Sequence, residues 1–446
     1  MTSPGQSAGA DASEGVELEV TALGSGGDGI AETADGRVYL PGGLPGERWR
    51  VRLAARMAEG WRAEPVTRLA GPPRAEPICR HFGTCGGCRL QHVPPAAYAA
   101  FKRQRILDAL ARRGLPGATV AEPALAPLAS RRRLRLGLVA VGRGLGLGLR
   151  ARGSHRIEPI AECPITEPAL VAALPALARE LASALVRPWP VEASLTTTES
   201  GLDLVLHAAR PALPTERTAL AAMAERLDLA RVSWSAGGGA EPLAVRRPPL
   251  VHLAAVPVEL PPGAFLQATR FGEACLAEAV RDWAGGARQA IDLFAGLGSL
   301  TFVLAGLARS VRAFEADAAA VAALRRAAGQ AGLGRVQAEA RDLDRRPLAP
   351  PELGRCDLVL LDPPRAGAAA QAAMLARSGL KRIIYASCQP ESFARDARTL
   401  IDAGFVLREL RPIDQFPFAA EVELIALLER SQGPEKGLIP ARPVAI

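Results

Sequence analysis

The sequence predicts an α/β chain in three parts: a small N-terminal β-barrel, a central α+β domain and a C-terminal doubly wound parallel sheet. Three observations carry this reading. Short alternating runs separated by glycine-rich turns occupy 16–72. Mixed strand and helix patterns occupy 73–257, and from about Val258 to Arg430 short apolar runs alternate with helical patterns. That last order builds a parallel sheet with crossover helices. Residues 1–15 and 431–446 are expected to be disordered tails.

Composition bounds the alternatives. A chain of 446 residues suits about three domains, and 49% apolar residues can build sizeable cores. No stretch reaches the ~18 uninterrupted apolar residues of a membrane span. The first fifteen residues lack the apolar region of a secretory signal. Seven cysteines stand at 79, 85, 88, 163, 275, 356 and 388, an odd number with three clustered. Without a signal that pattern argues for thiols and a metal site in the cytoplasm, not disulfides.

The net charge of +8 is unevenly spread. Between Arg48 and Arg156 stand 22 Arg and Lys against 5 Asp and Glu, so the rest of the chain is acidic. The excess of arginine over lysine (51 to 3) has the look of genome base composition, but that bias does not segregate charge. A basic front half suggests a polyanionic partner.

In the barrel segment Val16–Val20 alternates, 24–29 is a turn cluster, and 37–40 and 48–53 are further strands. Such barrels often bind nucleic acid. Next comes Cys79-x5-Cys85-Gly-Gly-Cys88, whose glycines let the backbone wrap closely. A tetrahedral thiolate site needs a fourth ligand, and Cys163 is the nearest candidate. Zinc usually takes two Cys-x2-Cys pairs, so the three-plus-one spacing fits an iron–sulfur cluster better. His92 reads as a surface or core histidine rather than a ligand. Residues 98–113 have helical spacing and a basic face of Lys102, Arg103, Arg105, Arg112 and Arg113. The run Arg131–Arg135 leads into a glycine-crowded strand over 138–149. Because these runs coincide with the basic half, phosphate contact is expected of them.

In the C-terminal part, 290–301 reads as strand, Gly296-x-Gly298, then helix. The next strand ends at Glu315, 23 residues after Asp292, near the ~20 expected for a carboxylate on a ribose. The third glycine of a dinucleotide motif is absent, so an adenosine without phosphates fits better, as in S-adenosylmethionine. A further strand, 356–361, ends in Asp362-Pro-Pro-Arg365, a rigid acidic turn typical of methyltransferases acting on planar bases. Asp342 is placed to meet the adenine, with a loop or cap acid as the alternative. The run 383–386 reads as a strand buried on both faces, ending at Cys388. A lone cysteine at the carboxyl end of such a strand is a nucleophile candidate, or a buried inert thiol.

Together these residues resemble one family, the RNA uracil-5-methyltransferases that make 5-methyluridine, in their iron–sulfur form. The resemblance covers about 16–430. It implies a TRAM/OB-like barrel at 16–72, a central RNA-binding domain with the cluster loop, and a Rossmann-like SAM-dependent methyltransferase domain. Cys79, Cys85, Cys88 and Cys163 match the family's cluster ligands, implying a 4Fe-4S cofactor. Pro262-Gly-Ala-Phe-Leu-Gln267 resembles the stretch whose glutamine meets the cofactor, and Asp292-Leu-Phe294-Ala-Gly296 the cofactor loop. The cofactor contacts implied are Gln267, Phe294, Ser299, Glu315, Asp342 and Asp362. Ser387-Cys388-x-Pro390 with 394–396 resembles the catalytic segment. Asp414-Gln-Phe416-Pro417 with Val422-Glu423 resembles the last motif, whose glutamate is the base. The chain departs from the family's usual residues at Thr269, Ala295, Ser299, Gln389 and Glu421, the last replacing a histidine.

The chemistry needs such groups. A thiolate adding to uracil C6 makes C5 nucleophilic toward a methyl donor, and a base then removes the C5 proton so that the thiol is expelled. Cys388 is the expected nucleophile and Glu423 the base, with Asp362 orienting the base or the cofactor. The uridine must leave its stack. The expected partner is RNA, by resemblance 23S ribosomal RNA, with tRNA the alternative and a monomer assumed. Rival readings are cytosine-C5 methylation, which usually has proline before the cysteine where Ser387 stands, and a SAM-binding RNA-binding protein without turnover. A radical-SAM enzyme needs Cys-x3-Cys-x2-Cys, which is not the spacing here.

Overall fold

The computed structural model describes residues 15–431 apart from 143, 188, 190 and 191. The expected tails therefore lie outside the described residues, save Gly15 and Ser431. Two compact units divide the chain. One holds the residues up to Pro77 with Arg89–Phe101 and Phe418–Ala420, and the other Ile78–Cys88, Lys102–Pro417 and the chain from Glu421.

The first unit carries a six-stranded sheet in the order Val16–Glu19, Arg48–Met57, Gly60–Ala70, Gly36–Leu40, Gly29–Thr33, Ala22–Leu23. Its two outermost strands are consecutive in the chain, with only Val20 and Thr21 between them. The core is small: Leu18, Val20, Ala31, Val38, Leu40, Val51 and Ala63. Alternation sends Val51 inward while Arg48, Arg50 and Arg52 stand on the exposed face. Glu47 is fully buried, accepting hydrogen bonds from Arg68, Arg74, Trp49 and the Leu44 N–H. Burial pushes its carboxyl up, but the donors led by Arg74 outweigh it and hold it at about 2. His92 is a core residue whose Nε2 donates to the Gly42 carbonyl at 3.0 Å.

In the second unit, a seven-stranded sheet runs Ile157–Pro159, Gly144–Arg150, Arg133–Val141, Glu192–Thr198, Gly201–His207, Arg231–Ser235, Ala240–Val245. The helix Pro168–Ala184 buries Leu170, Leu174, Leu177 and Leu181, one helical stripe, in a common core with Leu136, Leu195, Leu206 and Trp234. Each such leucine contributes about 1.5–3 kcal/mol on burial. The single strand expected over 138–149 is instead a hairpin: the chain turns at Gly142, in left-handed backbone, and Val141 pairs with Gly144.

The basic runs are corrected as well. The helix forms over Pro95–Arg112, but Lys102 is fully buried and donates to Asp414 Oδ1 at 2.8 Å. Arg105 is nearly buried beside Glu391, and Arg132 is fully buried against Glu273 at 2.6 Å. Charge spacing alone could not distinguish these from solvated cations. Burial and a paired carboxylate assign Lys102 and Arg132 to the interior, away from any phosphate.

The second sheet of this unit has eight strands: Val336–Ala340, Ser310–Glu315, Gln289–Leu293, Leu358–Leu361, Arg382–Ser387, Glu423–Arg430, Phe405–Asp414, Ala124–Leu125. From Gln289–Leu293 outward to Val336–Ala340, and through Leu358–Leu361 to Arg382–Ser387, the strands are parallel. This is the doubly wound order, with its switch point between Gln289–Leu293 and Leu358–Leu361. Glu423–Arg430 then inserts antiparallel beside Arg382–Ser387. Leu358–Leu361 is buried at every position, as a central parallel strand requires. Among the described residues no helix is long and apolar enough to cross a membrane.

Candidate active site

The carboxyl ends of the parallel strands lie along one edge of the eight-stranded sheet. Because Glu423–Arg430 is antiparallel, its amino end reaches that same edge. Ser387 pairs with Leu424, so the next residues outward, Cys388 and Glu423, come from adjacent strands at the same level. Cys388 follows the strand at the Ser387–Gln389 turn, where the Ser387 hydroxyl donates to the Gln389 carbonyl at 3.2 Å, and the helix Pro390–Asp402 begins. Proline at the first helical position fixes that restart.

Four polar side chains form a chain across this edge. Gln415 Nε2 donates to Glu423 Oε2 at 2.9 Å and to Gln267 Oε1 at 2.8 Å. Gln267 Nε2 donates to Asp362 Oδ2 at 3.1 Å. Burial raises the Cys388 thiol to about 11, and the carboxylates of Glu423 and Asp362 add to it, while Arg365 opposes. Glu423 is also held above the ordinary carboxylate range, by burial first and then by Asp362. Burial holds Asp362 up too, with Gln267 drawing it down. A thiol and two carboxyls whose environments favour their neutral forms are thus gathered in one place. Arg365 is the opposing cation; it is 70% exposed and lies 4.0 Å from Glu421.

A second group lines the ends of the outer strands. Phe294 follows Leu293 with φ +64°, a left-handed conformation that a non-glycine side chain adopts under strain. Glu315 Oε2 accepts the Gly296 N–H at 2.9 Å and its Oε1 the Asp317 N–H at 2.8 Å, tying the loop to the neighbouring strand. Ser299 opens the helix Ser299–Ala305. Asp292 accepts from Thr301 at 2.5 Å, while its other oxygen is buried without a hydrogen-bond partner among the described residues. Burial raises its carboxyl to about 7. A Cβ built on Gly296 would meet nothing within 4 Å, so the loop faces open space. Asp342 is exposed and accepts the N–H groups of Asp344 and Arg345 at 3.1 Å, closing a local turn.

The predicted residues therefore fall into two sets. Cys388, Glu423, Asp362 and Gln267 are brought together. Phe294, Ser299, Glu315 and Asp342 line the ends of the first three strands of the domain. Sequence reasoning missed Gln415, Arg365 and the Asp292–Thr301 pair. Gln415 and Arg365 stood inside quoted motifs, but nothing in their spacing marked them as partners of Glu423 and Cys388.

The four cysteines expected to hold a cluster lie elsewhere in this unit. The Arg80 N–H donates to Glu162 Oε1 at 3.0 Å, and the Ala161 N–H meets His81 Nε2 at 3.4 Å, drawing the 79–88 loop to the segment of Cys163. Gly86 N–H donates to the Arg150 carbonyl at 2.8 Å, and a Cβ there would strike that same oxygen. Gly87 N–H donates to Cys85 Sγ at 3.4 Å and the Thr166 hydroxyl to Cys163 Sγ at 3.1 Å. Burial raises the thiols of Cys79 and Cys85, and Cys163 adds to both. Among the described residues no three His, Cys, Asp or Glu side chains converge on a point at the distances of a single metal ion.

A cavity of about 940 Å³ opens at the opposite edge of the sheet, between Gly354–Asp357, Ser378–Arg382 and Glu429–Ser431. Its Arg382 and Arg430 donate to backbone carbonyls, so they brace the fold.

Residues 263–431 match the family described as tRNA (Uracil-5-)-methyltransferase. The chain is 42% identical over 423 residues to an uncharacterized RNA methyltransferase of Caulobacter vibrioides, covering 93% of this chain and 100% of that one. It is 33% identical over 439 residues to the 23S rRNA (uracil(1939)-C(5))-methyltransferase of Halomonas elongata, covering 93% and 89%. Among solved structures it is similar to the Pyrococcus abyssi tRNA (uracil-54, C5)-methyltransferase in complex with S-adenosyl-L-homocysteine. There the TM-score is 0.72 at 21% identity, covering 93% of this chain and 100% of that one, a likeness of fold.

Proposed function

Because the chain belongs to the RNA uracil-5-methyltransferase family and is a SAM-dependent RNA methyltransferase, we propose that it methylates C5 of a uridine in 23S ribosomal RNA. The observation that carries the reaction is that Cys388 and Glu423 are neighbours at one sheet edge, each the next residue outward from the Ser387–Leu424 pair. The choice of ribosomal RNA is supported by the Halomonas elongata relative.

The Cys388 thiol gives up its proton to solvent, its Sγ adds to C6 as the thiolate, and the electron pair of the C5–C6 double bond moves toward the O4 carbonyl. S-adenosylmethionine, when bound, supplies the methyl group taken up at C5. Glu423 accepts the C5 proton, the double bond re-forms, and Cys388 leaves as thiolate. Gln267 and Asp362 orient the reacting face. Glu315, Phe294, Ser299 and Asp342 hold the cofactor's nucleoside; the open face of Gly296 and the unpaired oxygen of Asp292 suit a ligand there.

Cys79, Cys85, Cys88 and Cys163 hold a 4Fe-4S cluster. The proximity of Cys85 to Cys79 and Cys163 and the N–H and O–H groups directed at Sγ support a site there, and the three-plus-one spacing favours a cluster over one zinc. Its role is structural, since methyl transfer moves no electrons between redox centres. The N-terminal sheet is a TRAM-type barrel closed through Val20 and Thr21, and its outward Arg48, Arg50 and Arg52 meet RNA phosphates.

The test is to incubate anaerobically purified protein with SAM and unmodified ribosomal RNA or tRNA, then analyse nucleosides by mass spectrometry. 5-Methyluridine in the ribosomal RNA, lost in Cys388→Ala, is expected. The same product in tRNA alone would change the substrate, and 5-methylcytidine would change the reaction. Bound SAM without any methylation would leave an RNA-binding protein.

A further inference from the structure

We propose that Gln415 is a positioning residue for the reaction: it holds the Glu423 carboxylate as proton acceptor and ties it, through Gln267, to Asp362. The proposal rests on the reading of Glu423 as the base.

Gln415 is 1% exposed and stands at the start of the turn that leads back to Glu423. Both protons of its one amide nitrogen are used, on Gln267 Oε1 at 2.8 Å and Glu423 Oε2 at 2.9 Å. Gln267 passes the pattern on, donating to Asp362 at 3.1 Å. With Glu423 and Asp362 ionised, this is the orientation that satisfies both carboxylates. Flipping Gln415 would then set its carbonyl against a carboxylate, and flipping Gln267 would set its carbonyl against the Asp362 carboxylate. Each of the two carboxyls therefore receives one N–H from a rigid two-amide bridge.

The seat is built for this side chain. In the first turn of the helix Arg270–Trp283, a Cβ at Gly272 would come within 2.7 Å of Gln415 Oε1 and 2.8 Å of its Cβ. That Oε1 is buried without a hydrogen-bond partner among the described residues. A side chain kept for packing alone would avoid burying an unpaired carbonyl. The arrangement makes sense when the amide nitrogen is the functional end.

The charged groups facing Glu423 are Asp362 and Arg365, from the turn after Leu358–Leu361, and Cys388, after Arg382–Ser387. Burial and Asp362 favour the protonated carboxyl, while the Gln415 N–H and Arg365 favour the carboxylate. Losing the N–H therefore makes the carboxylate scarcer at neutral pH. In the last step the C5–H bond breaks, its proton goes to a Glu423 oxygen, its electron pair re-forms the C5–C6 double bond, and the C6–Sγ pair leaves with Cys388. Gln415 touches Glu423, so it acts on this step and leaves thiolate addition and methyl uptake in place.

The experiment uses the full-length protein with SAM and the RNA that the wild type methylates. In Gln415→Met, kcat at neutral pH is expected to fall ~10-fold or more with KM for RNA within about twofold, and the acid limb of the rate profile to move to higher pH. A methylated covalent RNA–protein adduct accumulates on denaturing gels. In a Glu423→Gln background the same substitution adds less than about twofold, because the two act as a unit. Should Gln415→Met not fold, Gln415→Leu, which also removes the donor, must move the acid limb the same way. Turnover and adduct falling together, or an unmoved acid limb, would overturn the inference while leaving wild-type 5-methyluridine formation intact. A wild type that makes another product overturns the base assignment, and the inference with it.

Discussion

The carboxyl edge of the eight-stranded sheet and the loop of Cys79, Cys85 and Cys88 both gather reactive side chains from distant parts of the chain, by different means. At the sheet edge the partners are fixed by strand register. Ser387 pairs with Leu424, and buried amides link Glu423 to Asp362 at 2.8–3.1 Å. Around the cysteines the backbone is loop, all four thiols are half-exposed, and loop-to-segment hydrogen bonds hold Cys79 and Cys85 near Cys163. The reacting side chains of the first site are all fixed by the polypeptide. Under the proposed reading the second would be finished by a cluster. A substitution at the first should therefore change chemistry in a stable protein, and one at the second should change stability and leave the chemistry in place.

The sharpest test of the first half is Glu423→Gln. Turnover is expected to fall roughly 10²–10⁴-fold, with a methylated covalent adduct accumulating and Tm nearly unchanged. A loss of Tm that matched the loss of rate would break the comparison.

The buried pair beneath the edge comes next. Lys102→Met leaves Asp414 buried without its cation and should destabilise by about 3–5 kcal/mol in denaturant unfolding. The double variant Lys102→Met with Asp414→Leu should recover most of it.

Proton linkage gives a third effect. The Asp292 carboxyl sits at about 7 in the folded chain against an unfolded value of 3.8. Between those values the folded state binds more protons than the unfolded, so wild-type stability falls as pH rises through that window. Asp292→Asn removes this dependence. Its stability relative to wild type should improve by roughly 2–4 kcal/mol between pH 4 and pH 8. An unchanged difference would mean that the carboxyl is ionised throughout.

The smallest effect is at the loop. Cys163→Ser should lose iron, measured by elemental analysis, and about 1–3 kcal/mol of stability. The folded fraction should still form the Cys388 adduct. If adduct formation disappears with the iron while the protein stays folded, the cluster takes part in substrate placement and the two regions are not separable.

The strands of the sheet were legible because central parallel strands must be apolar throughout: 383–386 and 358–361 stand out in any reading. Cys388 was legible as a nucleophile candidate from its place after such a strand. The partners of the site were not legible, since hydrogen-bond donors acquire meaning only when register sets them opposite an acceptor. Nothing in the spacing of Gln415 and Gln267, 148 residues apart, shows that one amide donates to the other. Basic runs misled for the related reason that charge is read without burial. Lys102 and Arg132 look like neighbouring solvated cations and are interior halves of ion pairs.

By itself the sequence determined the alternation of strand and helix, the thiol at a strand end, the acidic turn at Asp362 and the clustering of cysteines. These depend on periodicity and near-neighbour chemistry, which act over a few residues. The tertiary structure decided that Glu423 faces Cys388, because an antiparallel strand brings its amino end to the carboxyl edge of its parallel neighbours. It also decided the protonation of the site. Burial and mutual repulsion raise Cys388, Glu423 and Asp362 together, and both are properties of three-dimensional proximity in a low-dielectric interior.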